Sequence, residues 1–345
     1  MEGDSQAKYY HAIATALGAN YRSLHKLAQT HKNWFTAWES LLPYEREAHD
    51  PDKLWTELMD RKIQLTLLNE TSYPDLLKEI PWPPFGLYHR GPLPRNIDLF
   101  AIVGTRKPTL EGKALAKEFG RELSRAGCGI VSGLAFGIDA AAHAGCLEAG
   151  GRAVAILGTE IGKIYPRSHE GLAEEILRTG GVIISEYPPG TQTRLQHFLE
   201  RNRIVSGLCR GVCLIEAPQR SGALATARFT LEQNRDLFVV PGPARHPNFA
   251  GSHELLRAGA TLVINTAQIL ENYGWQTSEQ SMGENAFSAE ELAILGTLRE
   301  AANPLDIDKI TELTHLKPHC VSQTLSFLIL KNRVKENESG FVITA

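Results

Sequence analysis

The chain has little of what marks several common protein classes. Of its 345 residues only five are cysteine: Cys128, Cys146, Cys209, Cys213 and Cys320, an odd set with no C-x-x-C pair. That excludes a disulfide framework, and Cys209 with Cys213 supplies too few ligands for a zinc site; buried thiols in a reducing compartment fit better. No apolar run approaches the ~20 residues of a membrane span. The opening MEGDSQAKYY has neither the basic start nor the apolar stretch of a secretory signal, so a cytoplasmic protein with no membrane partner is expected. Nor is one sign of charge in excess. Lys and Arg total 36 against 39 Asp and Glu, a net charge of -3, so any binding of nucleic acid must use a local basic patch. Internal repeats are absent.

What is present suits a soluble protein with a sizeable core. The length is long for one domain and predicts two or three, and the 43% apolar content can fill them. Residues 1 to about 60 read as short helices, with Ile13, Ala16 and Leu17, then Leu24 and Leu27, at helical spacing. Trp34, Phe35 and Trp38 read as the core of that small helical domain. KIQLTLLNETSYPDLL then shifts towards a strand and a turn before Pro74.

From about 98 to 265 short apolar runs recur at 99–103, 129–131, 153–157, 182–184, 212–215 and 237–240. Helical stretches fill the gaps at 109–126, 138–149, 168–179, 197–209 and 223–234. Continuous apolar strands alternating with helices predict an α/β fold, a doubly wound parallel sheet covered on both faces. QTSEQSMGEN (276–285) reads as a polar linker. Beyond it, helices near 288–301, 306–313 and 318–330 precede RVKENESGFVIT, two short strand-like runs, which together suggest a small winged-helix module. That module is acidic, with nine acidic and six basic residues from Glu284 to Ala345. Its third helix has no Arg or Lys and spends Val321, Leu325 and Leu328 on a core-facing stripe.

In an open parallel sheet ligands sit at the carboxyl ends of the strands. The first strand meets FAIVGTRKPTLEG, where a dinucleotide fingerprint would show G-x-G-x-x-G; only Gly104 is in place, with Arg106 and Thr109 where the other glycines belong. The other strands end in Ser132-Gly133, Gly158-Thr159, Ser185-Glu186, Glu216-Ala217 and Pro241-Gly242. Arg106, Arg167 and Arg220 all follow strands. RLQHFLERNRIVSGLCRG adds Arg194, Arg201, Arg203 and Arg210 against a single Glu200. Helix N-termini and guanidinium forks on one edge suit phosphate. Asp139 and His143, four apart on one helix face, read either as an acid/base pair with Ser132 as nucleophile, or as a helix-terminus carboxylate and a packed, hydrogen-bonded histidine. The lack of a third triad member favours the structural reading. Glu186 and Glu216 decide nothing at this level.

These motifs have a collective resemblance. VGTRKPT, SGLAFGIDAAAH, LGTEIGKIYP, ISEYPPG, ERNRIVSGL, RSGALATA and VVPGP occur in the order found in the DNA-processing protein A (DprA/Smf) family, densely over about 70 to 265. The resemblance implies a helical (SAM-like) domain over 1–65, a Rossmann-like DNA-binding domain over 66–275 and a winged-helix domain over 286–345. It implies a homodimeric, non-enzymatic mediator that binds single-stranded DNA and loads the RecA recombinase in natural transformation, with no cofactor or metal. The DNA site carried over is Gly104, Thr105, Arg106, Ser132, Gly133, Arg167, Arg201, Asn202, Arg203, Arg220 and Ser221. Three departures stand out: Glu160 where the family has glycine, Ala223 for serine, and GSH (251–253) for GTN; Glu160 is expected to put a negative charge near the site. The competing readings are a nucleotide-processing enzyme using Asp139 and His143, and a nucleotide-sensing module.

Overall fold

A computed structural model describes residues 2–275, 288–301, 304–330, 333–337 and 340–343. The chain divides into two compact units, Met1–Tyr273 and Gly274–Ala345.

The first unit begins with five helices, α1 (Glu2–Ala16), α2 (Tyr21–Thr30), α3 (Trp34–Glu39), α4 (Pro43–Ala48) and α5 (Pro51–Asp60). Polar side chains set their starts. Asn20, Asn33 and Asp50 each accept a backbone N–H from the first turn that follows, satisfying donors that have no intrahelical partner. Of the expected aromatic core only Trp38 is fully buried; Phe35 remains 39% exposed. Trp34 meets Tyr10 of α1 and Phe85, just before β2, edge-on at 5.0 and 5.7 Å, so it fastens α3 both to α1 and to the sheet. His11 and Tyr88 share a buried hydrogen bond of 3.0 Å across the same seam.

The sheet follows as β1 (Gln64–Leu67), α6 (Asp75–Lys78), β2 (Gly86–Arg90), β3 (Leu99–Val103), α7 (Leu110–Arg125), β4 (Gly129–Ser132), α8 (Ile138–Glu148), β5 (Ala153–Leu157), α9 (Glu170–Arg178), β6 (Val182–Ser185), α10 (Leu195–Gly207), β7 (Gly211–Leu214), α11 (Gly222–Glu232), β8 (Asp236–Val239), α12 (Ala250–Arg257), β9 (Thr261–Leu262) and α13 (Thr266–Asn272). Strand order is β1-β2-β6-β5-β4-β3-β7-β8-β9. Pairing from β6 through to β9 is parallel; β1 with β2 and β2 with β6 are antiparallel. The six expected strands are therefore all present, and β1 is the strand read before Pro74. β2 and β9 are additions at the two flanks.

Every residue of β3, β4, β5, β6 and β7 is buried, as a sheet covered on both faces requires. Val131, Val154, Ile156, Ile184, Val212 and Leu214 lie in one core. The chain winds from β3 out to β6, then returns to lay β7 on the other side of β3. The crevice between β3 and β7 is thus the point where the winding reverses, where ligands of such sheets sit.

The second unit holds α14 (Ala289–Glu300), α15 (Ile307–Thr314), α16 (Pro318–Leu330) and the antiparallel pair β10 (Val334–Asn337) and β11 (Gly340–Ile343). Ser288 and Glu291 form a reciprocal capping box on α14. Val321, Leu325 and Leu328 enter one core with Ile294, Ile310, Val334 and Phe341, so the stripe read on the third helix faces inward. The linker at 276–285 lies outside the described residues.

Candidate nucleic-acid interface

A cleft of about 550 Å³ opens at the carboxyl ends of β3 and β7, walled by α10 and the start of α11. Of the sequence-expected residues, Gly104, Thr105, Arg106, Gly133, Arg201, Asn202, Arg220 and Ser221 line it. Ser132, Arg167 and Arg203 are not among its lining residues.

The turn after β3 is held rigidly. Thr105 N–H donates to the Glu216 carbonyl at 2.8 Å. A Cβ on Gly104 would come within 2.6 Å of Ile138, so only glycine fits. The N-terminus of α7, where a dinucleotide fold would seat its pyrophosphate, is already taken. The buried Glu216 carboxylate accepts from Thr109 N–H at 3.1 Å, from the Thr109 hydroxyl and from Asn248 Nδ2 at 2.7 Å. A Cβ on Gly112 would meet that carboxylate at 2.0 Å. An internal anion thus replaces the external one, and this is why the second and third fingerprint glycines are dispensable. Arg106 and Lys107 are left exposed at the rim. Glu216, undecidable in the sequence, is the residue that sets this geometry.

Arg201 and Arg203 correct the expectation that the α10 arginines offer free charge. Arg201 is 5% exposed and lies beneath the cleft. Its Nη1 donates to the Gly133 carbonyl at 2.7 Å and to the Ile156 carbonyl, tying β4 to β5. Gly133 must lack a side chain because its Cβ would sit 2.4 Å from that guanidinium. Burial pushes Arg201 down to about 10, with Asp139 opposing. Arg203 faces the other side of α10, in a buried pair with Glu186 at 2.6 Å. Burial raises the Glu186 carboxyl, and Arg203 counters it. Asn202 spends its Nδ2 on the Gly222 carbonyl at 3.2 Å, bracing the β7–α11 loop.

The Ser132 hydroxyl is fully buried and donates to the Ile102 carbonyl at 2.7 Å, pinning β4 to β3. Arg167 is exposed outside the cleft, 3.7 Å from Glu170. Ser221 stands at the N-cap of α11, yet its hydroxyl, shielded from solvent, has no hydrogen-bond partner, and Arg220 beside it is exposed. A positive helix end, an unused hydroxyl and a free guanidinium are thereby adjacent. Glu160 turns away, its carboxylate accepting Gly190 N–H, so the expected negative charge is spent on a loop. GSH folds under β7: Gly251 N–H donates to the Ala217 carbonyl at 2.9 Å, and the Ser252 hydroxyl accepts Ala217 N–H at 3.2 Å.

Asp139 Oδ2 accepts Gly133 N–H at 3.0 Å and Ala135 N–H at 3.3 Å. It therefore shapes the β4–α8 loop rather than its own helix terminus. His143 is fully buried, and burial pushes its imidazole down to about 3, with His169 and Arg201 adding repulsion. A neutral histidine and a hydroxyl, both sealed from solvent, offer a substrate no approach.

The sequence reading missed the opposite wall. Tyr165, Leu195, Phe198 and Leu199 line the cleft, with Tyr165 51%, Leu195 88% and Leu199 51% exposed. The Tyr165 and Phe198 rings lie 5.5 Å apart, and the Arg106 guanidinium stands 5.9 Å from the Phe198 ring. Leu195, Phe198, Leu199 and Asn202 follow i, i+3, i+4, i+7 spacing, which marks one helix face but reads as core until the tertiary structure leaves it bare. Cations facing exposed aromatics are the combination that grips a backbone while bases stack.

The profile of the DNA recombination-mediator protein A family matches residues 64–274. Protein Smf of Synechocystis is 39% identical over 235 residues, covering 67% of this chain and 59% of that protein. Protein Smf of Escherichia coli is 43% identical over 172 residues, covering 50% and 46%. The chain thus spans about half the length of these two curated relatives. The structure of DNA processing protein A from Streptococcus pneumoniae superposes with a TM-score of 0.64 at 28% identity, covering 76% of this chain and 97% of that one. DNA processing protein A from Helicobacter pylori, whose structure concerns its single-stranded DNA binding mode, gives 0.54 at 29% identity, covering 61% and 95%. A family profile over more than half the chain, carried on the same sheet, leaves one assignment: the chain belongs to the DNA recombination-mediator protein A family.

Proposed function

We propose that the protein binds single-stranded DNA in the cleft between β3 and β7. The observation that carries the reading is the pairing of free cations, Arg106, Lys107 and Arg220, with a wall of exposed Tyr165, Leu195 and Leu199 and half-buried Phe198. Phosphates would take the guanidinium groups and the start of α11; bases would lie on the aromatic wall. A duplex keeps its bases stacked inside, so the aromatic wall favours a single strand. The Helicobacter pylori relative, described by its single-stranded DNA binding mode, supports the same class of ligand.

On family membership, the proposal extends to a recombination mediator that delivers the strand to the RecA recombinase in natural transformation, acting as a cytoplasmic homodimer. Four of the five free cysteines are buried, which suits a reducing compartment. No helix among the described residues is long and apolar enough to cross a membrane. The three helices and hairpin of the second unit are read as the winged helix. Burial of Ser132, Asp139 and His143 speaks against the nucleotide-processing alternative.

The experiment is anisotropy of matched single- and double-stranded oligonucleotides over a salt series. If Arg106, Lys107 and Arg220 each neutralise one phosphate, the log–log slope for single strands should be about −2, at ~0.7 per contact. Preference for the duplex, or a slope near zero, overturns the reading.

A further inference from the structure

The DNA cleft faces one side of α10. On the other side lies a larger cavity of about 1030 Å³, between the α1–α2 turn and the segment that follows β6. No residue lines both: Leu195, Phe198, Leu199 and Arg201 face the cleft, while Gln196, His197, Glu200 and Arg203 face the cavity. We propose that this cavity binds a nucleoside phosphate, its base against the aromatic faces and its phosphate on the guanidinium groups.

Arg203 is the first warrant. Its side chain is 5% exposed and its Nη2 is paired with Glu186 at 2.6 Å, yet Nη1 has no hydrogen-bond partner. A buried charged donor left unanswered is costly, and a phosphate oxygen is the acceptor a guanidinium fork fits. Charge is the second. The two acidic groups of the lining are engaged, Glu186 by Arg203 and Glu200 by the Tyr187 hydroxyl at 2.8 Å. With Glu186 offset by Arg203, the exposed Arg22 and Arg194 outweigh the one remaining carboxylate, Glu200, so the balance of the cavity favours an anion.

Aromatic surface is the third. Trp82, 54% exposed, and the half-buried Tyr21, 5.7 Å from the Arg203 guanidinium, offer flat faces at the wall; Tyr187 and His197 are buried behind them, stacked on each other at 4.2 Å. Flat faces beside cations select a planar anionic ligand over inorganic phosphate alone. The volume is at the upper end of the ~300–1,000 Å³ usual for small-molecule sites, so a nucleotide fits with room for water.

The test is calorimetric titration of the full chain with AMP, with oligo-dT binding measured in parallel. Saturable AMP binding is expected. Trp82→Ala and Arg22→Ala, both at exposed positions, should each weaken it by about tenfold, as loss of a stacking face or a charge contact does elsewhere. Both should leave oligo-dT affinity unchanged. Arg106→Ala should weaken oligo-dT and spare AMP. Adenosine should bind at least about tenfold more weakly than AMP, since it forfeits the charged contacts. Absence of saturable AMP binding, adenosine binding equal to AMP, or AMP binding lost in Arg106→Ala but indifferent to Trp82→Ala would each overturn the proposal. Because oligo-dT is read on the same samples, failure here is distinguishable from failure of the DNA cleft.

Discussion

Phe198→Ala and Arg106→Ala should both weaken single-strand binding, but through different physics that one assay can separate. Arg106 is exposed at the rim, and its charge is available to a phosphate. Losing a charged contact costs about 1.5–3 kcal/mol and should flatten the salt slope by ~0.7. Phe198 carries no charge and forms the wall with Tyr165 at 5.5 Å. Losing one base-stacking face costs about 1–3 kcal/mol, roughly 5- to 150-fold, and should leave the slope untouched. The guanidinium also stands 5.9 Å from the Phe198 ring, so the two losses should couple, by about 0.5–1 kcal/mol at an exposed cation–π pair. Fluorescence anisotropy on oligo-dT for wild type, both single variants and the double variant, each over a salt series, supplies affinity and slope together. Circular dichroism checks the folds. The reasoning fails if Phe198→Ala binds like wild type, or if it flattens the slope as Arg106→Ala does.

Four further outcomes are expected. Ser221→Ala, removing a hydroxyl with no partner in the protein, should leave thermal stability within about 0.5 kcal/mol and weaken oligo-dT binding by about 0.5–1.5 kcal/mol; a loss of stability with unchanged affinity would reverse its assignment. Glu186→Gln strands the Arg203 charge in the interior and should cost about 3–5 kcal/mol in urea unfolding, whereas Glu186→Gln with Arg203→Met should recover most of it; no recovery would mean the pair is not what the first variant breaks. Acid should destabilise the first unit early, because burial holds His143 at about 3 and His11 at about 4 while the unfolded chain takes up protons near 6.5. With both folded values depressed, stability is complete above the unfolded value and falls as pH drops below it, by about 3 kcal/mol between about pH 6.5 and 5; His143→Gln should keep about half of that drop, and an unaltered drop would refute the assignment. Deleting residues 284–345 should leave oligo-dT affinity within about threefold, since that segment carries nine acidic against six basic residues and its α16 has no Arg or Lys; a tenfold loss in a folded remainder would place DNA contacts there.

The sequence by itself determined the strands and helices of the parallel sheet and the residues at the strand ends. The reason is local: a strand buried on both faces is a short unbroken apolar run, and the residue that ends the run must stand at the sheet's edge. It also carried Gly104 to Arg106, Arg220 and Ser221 to the cleft on that basis. Only the tertiary structure decided what each charged side chain does once there. Arg201 and Arg203 are two positions apart on α10, about 200° around the helix, so they were bound to face opposite ways. Which way led to the cleft, and that both are buried, depended on β4, β5 and β6 lying on one side of β3, an order no local pattern encodes. Glu216 seals the α7 N-terminus only because Thr109 and Asn248, 107 and 32 residues away, are brought to it. The stripe of Leu195, Phe198 and Leu199 has the spacing of a core face yet lines the cleft, because among the described residues of the first unit no element packs over it. Periodicity states which residues share a face; only the packed neighbours state whether that face meets protein, solvent or ligand.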